Sequence, residues 1–123
     1  MVDKALTREA ILAAEDRPIR QVDVPEWGAG AFVCIRAMTA GDRDAYEQWQ
    51  ITAGRSVSPN AKRELRARMI AACVTDEDGK PIFTATDIPA LAEKSVVAMD
   101  RIFLAIARLN RLDPKERKAL AKN

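Results

Sequence analysis

A chain of 123 residues, 48% hydrophobic and 31% charged, is long enough to bury roughly two thirds of its unfolded surface in one core without a metal or disulfide staple. No stretch approaches the ~20 apolar residues of a membrane span, and the first residues lack the basic start and apolar run of a secretory signal, so the expectation is a cytosolic chain with no membrane partner. Composition excludes collagen-like and low-complexity classes, and a net charge of +2, divided as −2 over residues 1–60 and +4 over 61–123, gives weak footing for nucleic acid.

Thr7 is placed to cap a short helix running to about Ala14, with Leu6 and Ile11 as a hydrophobic staple. Arg17-Pro18 breaks it. Two β-branched runs, 19–24 and 31–36, flank the turn-rich segment 25–30 and predict a hairpin with a long loop that carries Trp27 at its tip. Thr39 and Asp42 form a capping box that opens a helix to about Ala53, with Tyr46 and Trp49 on its inner face. Ser58-Pro59 starts another, lined inside by Leu65, Met69, Ala72 and Cys73, while Lys62, Arg63, Arg66 and Arg68 take much of the outside.

The Asp78-Gly79 step predicts a turn that closes a small ladder between Val74 and residues 82–83. A calcium loop in the same place fails on ligands, because Val74 and Ala85 would occupy its first and twelfth positions. Residues 86–89 start a short helix. Ser95 caps the expected longest one, from about Val96 to Leu112, whose core arc is Met99, Ile102, Phe103, Ala105, Ile106 and Leu109. Val97 and Leu104 interrupt the opposite, polar arc beside Arg101 and Arg108. Asp113-Pro114 then opens a frayed, basic C-terminal helix over 114–123.

Chemistry is sparse along this chain. There is no histidine to act as a base, the two cysteines cannot make a four-ligand zinc site and read as buried thiols, and the acids are spread through caps and turns. The expectation is therefore no enzyme, no cofactor, no metal and no catalytic residue. A small helical DNA-binding regulator is the alternative, from the two helices at 87–112. It is disfavoured because Val96, Val97, Ala98 and Met99 open the second helix, where base-reading needs short polar side chains.

The ordered segments 11–18, 22–28, 38–44 and 74–80, followed by Phe83-Thr84, 91–95 and 107–110, resemble the tail assembly chaperones of long-tailed, siphovirus-type bacteriophages. The resemblance covers nearly the whole chain. It implies a non-enzymatic protein that coats and solubilises the tape measure protein in the host cell cytoplasm and helps recruit tail tube subunits. Such a protein is absent from the mature virion, and a longer form arises by frameshifting near its C-terminus.

Under that resemblance Val97, Arg101, Leu104 and Arg108 are the candidate partner-binding residues, with Trp27 as a separate aromatic anchor. Trp27 folded back as a lid on the core is the competing placement. Expected partners are the tape measure protein, the major tail tube protein and further copies of the chain. The expected fold is α+β over 1–123: a mainly helical single domain with an N-terminal β-hairpin packed against four or five helices.

Overall fold

Local rules account for most of the element boundaries. A computed structural model describes residues 4–56 and 63–112. In chain order these form α1 (Arg8–Ala13), β1 (Ile19–Asp23), a 3-10 turn (Pro25–Trp27), β2 (Phe32–Arg36), α2 (Ala40–Arg55), α3 (Leu65–Cys73), β3 (Val74–Thr75), a second 3-10 turn (Ala85–Asp87), α4 (Ile88–Ala92) and α5 (Val96–Leu109). Thr7 Oγ1 accepts from the Ala10 N–H, Thr39 and Asp42 close a reciprocal capping box, and Ser95 Oγ accepts from the Val97 N–H. The expected features at Ser58, Pro59, Lys62 and 113–123 lie outside the described residues.

The hairpin pairs antiparallel, with Ile19 opposite Arg36 and Asp23 opposite Phe32. β3 joins the free side of β2, placing Cys34 opposite Thr75 and Ile35 opposite Val74, so the sheet order is β1-β2-β3. This corrects the ladder expected within 74–83. The Asp-Gly turn closes only a single bridge, Thr75 to Pro81, and leaves Ile82 exposed, because Val74 and Thr75 spend their backbone groups on the central strand.

Asp76 shapes that turn: its Oδ1 accepts from the N–H groups of Asp78 and Lys80 at 2.9 and 3.0 Å. Gly79 is required at its apex. Its φ is +88°, and an added Cβ would meet Arg36 Nη1 and Ile19 Cδ1 at 3.0 Å.

The helices cover the sheet in one α+β unit. α3 sits at the centre, packed by α5, α4 and α2, while α5 also reaches β1, β2 and the hairpin loop. Val24, Ile35, Met69, Ile70, Ile102 and Ile106 are sealed within this core, and each sealed side chain contributes about 1.5–3 kcal/mol of transfer free energy.

Several expectations need correction. Leu6 and Ile11 stand exposed rather than stapled, since α1 buries no residue. Trp49 is 40% exposed, because it serves as a platform for the Arg68 guanidinium 3.6 Å from its ring centre, while Tyr46 is half-buried. On α3 the buried set is Ala67, Met69, Ile70, Ala71 and Cys73, with Ala72 exposed; a helix contacted on three sides buries more than a single stripe. α5 stops at Leu109, and the 16-residue α2 is longer.

The stop has a clear cause. The N–H groups of Arg111 and Leu112 turn back to the carbonyls of Arg108 and Ala107, a Schellman closure that puts Arg111 at φ +56°. Asn110 locks it in place, its Oδ1 accepting from Met38 N–H at 2.8 Å and its Nδ2 donating to the Ile106 carbonyl at 2.9 Å. Arg111→Gly relieves the left-handed strain and is expected to stabilise the fold by about 0.5–1 kcal/mol, after the added chain entropy of glycine. A higher denaturant midpoint at unchanged slope is the expected reading.

Candidate protein-binding surface

Residues four, three and four apart on a helix share one stripe, so Val97, Arg101, Leu104 and Arg108 run along a single side of α5. Val97 is 54% and Leu104 55% exposed. Ile102 and Ile106, which alternate with them along the chain, face the core, so α5 is apolar inside and carries an interrupted apolar ridge outside.

The two arginines differ. The Arg101 guanidinium is bound by the Glu26 carboxylate of the hairpin loop, 75 residues away in sequence. This ion pair pins the loop that carries Trp27 beside the helix that carries Val97, and no local signal in the sequence announces it. Arg108 is exposed and has no ion-pair partner among the described residues. On the neighbouring side of α5, Asp100 pairs with Arg66 at 3.3 Å, and Arg66 lies 5.7 Å from the Phe103 ring centre.

Leu104 and Arg108 also form one wall of a groove of about 340 Å³ between α2 and α5, floored by Tyr46, Met69 and Phe103 with Arg43 at its lining. Val97 and Arg101 lie outside this groove, so the stripe continues past it toward the hairpin loop. Trp27 is 40% exposed and lines a separate groove with Phe83, Ala90, Leu91 and Lys94. At 40% exposure it is neither a free tip nor a sealed lid, and the turn that carries it packs on α5.

Cys34 and Cys73 are buried free thiols. Burial pushes the Cys73 thiol up to about 12, the Asp42 carboxylate adding to the shift and Arg17 opposing it; burial likewise raises the Tyr46 phenol against the opposing charge of Arg66. An unfolded Cys73 ionises near its ordinary value of 9.0 while the folded one keeps its proton. Its contribution to stability is therefore complete below pH 9 and is lost as pH rises toward about 12. Urea unfolding at pH 8 and pH 10 is expected to show this fall, and Cys73→Ala is expected to flatten it.

Sheet, helix order and an outward ridge without a converged set of reactive side chains among the described residues define a small α+β domain whose distinctive surface is one helix face. The chain belongs to the phage tail assembly chaperone family, whose model matches residues 7–119. Among solved structures it is similar to the bacteriophage HK97 tail assembly chaperone, at 20% identity, with 83% of this chain and 96% of that chain covered and a TM-score of 0.57. That likeness is one of fold. No curated protein matches the chain.

Proposed function

We propose that this chaperone binds and solubilises the tape measure protein during tail assembly, through the α5 stripe Val97, Arg101, Leu104 and Arg108, with Trp27 as an outlying anchor. The observation that carries the reading is the ridge itself. Three aliphatic side chains, Val96, Val97 and Leu104, are left more than half exposed on a helix whose other face is packed by Ala98, Met99, Ile102 and Ile106.

Fully burying an aliphatic side chain is worth about 1.5–3 kcal/mol, so a half-exposed Val97 or Leu104 holds roughly 1 kcal/mol in reserve for a partner. A single chaperone therefore grips weakly. Strength comes from copies arrayed along one elongated apolar partner, each raising the effective concentration of the next. Weak individual contacts also allow release when tail tube subunits, the second proposed partner, replace the chaperone. Action is by surface contact alone, without catalysis or a cofactor, in the host cytoplasm before the virion is complete.

Co-expression with the cognate tape measure protein tests this. The tape measure protein is expected to move from the pellet to the soluble fraction and to co-purify with the chaperone. Salt-dependent binding to duplex DNA with no rescue of solubility would support the regulator instead.

A further inference from the structure

α5 carries three charged residues, and two of them are already answered within the fold. Asp100 pairs with Arg66 at 3.3 Å, and both carboxylate oxygens of Glu26 accept from Arg101 Nε. Arg108 has no ion-pair partner among the described residues. The groove it lines repeats the pattern, since Arg43 and Glu47, the other two charged side chains of the lining, pair with each other at 3.1 Å. Among the described residues, the apolar stripe and its groove are left with a single unpaired cation, at the last turn of the helix.

The two arginines therefore ask different things of a partner. A chain that brought its own carboxylate to Arg101 would crowd it against Glu26, and like charges juxtaposed at an interface are unfavourable. An uncharged segment avoids this, because the guanidinium keeps its Glu26 carboxylate while the aliphatic stem of Arg101 adds apolar area between Val97 and Leu104. Arg108 has the reverse preference. An apolar segment over it would strip its water and return nothing, whereas a carboxylate would pair with it.

Spacing sets the shape of the occupant. At a rise of about 1.5 Å per residue, Val97 and Leu104 lie about 10 Å apart along α5 and Arg108 about 6 Å further. Residues i, i+7 and i+11 of a second helix lying alongside share one of its faces at the same separations.

We infer that the segment bound by α5 is an amphipathic helix of the tape measure protein that sets apolar side chains on Val97 and Leu104, a carboxylate on Arg108, and no charge opposite Arg101, whose counterion Glu26 supplies. The apolar residue over Leu104 enters the groove of about 340 Å³ between α2 and α5. The inference rests on the tape measure reading and adds which charge selects the partner. That charge is Arg108, with Glu26 as a positioning residue that acts through Arg101.

Competition on the purified complex tests it. Isotope-labelled wild-type chaperone bound to the cognate tape measure protein is incubated with an equal amount of unlabelled variant, and mass spectrometry reads the ratio retained. Arg108→Gln is expected to compete about tenfold less well at about 0.05 M salt but within about threefold of wild type at about 1 M, where the screening length falls to about 3 Å. Glu26→Gln leaves Arg101 an unpaired cation under the partner and is expected to compete at least about threefold less well. Removing that cation too, by combining Glu26→Gln with Arg101→Gln, is expected to restore competition to within about twofold of wild type, a recovery that a merely structural role for Glu26 does not give. Should Glu26→Gln lose its fold by circular dichroism, Arg101→Gln, which leaves Glu26 unpaired instead, takes its place in the comparison.

A wild type that forms no complex overturns the tape measure reading and this inference together. A complex in which Arg108→Gln competes equally at every salt concentration, Glu26→Gln competes as well as wild type or better, or the double variant stays as weak as the single one overturns the inference alone.

Discussion

Ile106→Ala is expected to cost about 3–4 kcal/mol of folding stability. Ile106 is fully buried on the inner face of α5, in the cluster that includes Met99, Ile102, Met69 and Ile70. Removing its branched side chain loses the transfer free energy of the deleted carbons and leaves a cavity that α3, already contacted by three other helices, cannot close. Against a typical total of 5–15 kcal/mol the loss is a large fraction. Urea unfolding followed by circular dichroism reads it directly, and a change below about 1 kcal/mol would remove Ile106 from the core.

Leu104→Asp, two residues earlier on the same helix, is expected to do the opposite. Its side chain is more than half in water, so the substitution falls among surface changes that stay within about 0.5 kcal/mol, and the circular dichroism spectrum and midpoint should hold. Partner binding should not. The new carboxylate would have to be desolvated against an apolar helix, losing the burial term and adding a charge penalty, so affinity for the tape measure protein is expected to fall by more than about tenfold. Rescue of tape measure solubility is then lost. An unfolded variant would make Leu104 a structural residue, and undiminished binding would move the contact elsewhere on the surface.

Opposite outcomes at positions 104 and 106 were legible in the sequence because helical periodicity separates the two faces of α5 without reference to any other element. The caps at Thr7, Thr39 and Ser95 and the hairpin around residues 25–30 were legible for the same reason: each depends on residues within one turn of each other. The structure departs from the sequence reading where distant segments decide. β3 pairs with β2 about forty positions upstream, and no pattern within 74–83 says so. Trp49 looks like core by spacing, but Arg68 of the next helix claims its ring face.

The same boundary runs through the candidate surface. Exposure of Val97 and Leu104 follows from the wheel, whereas the Glu26 clamp on Arg101 depends on how the hairpin loop folds over α5. The staple at Leu6 and Ile11 failed because local composition can promise a packed helix end while the fold buries no residue of α1. Arg68 reads from the wheel as an outer residue, but its side chain is largely covered and its buried Nε has no hydrogen-bond partner among the described residues, which only the folded neighbours decide.

Contact between the outer side of α5 and the tape measure protein is expected to leave a local protection pattern. Hydrogen exchange measured by mass spectrometry, on the chaperone alone and in the co-purified complex, tests it most directly. Slower exchange over residues 96–109 and in the Trp27 turn, with other described segments unchanged, is the result expected. A complex in which residues 96–109 exchange as fast as in the free protein would contradict the account.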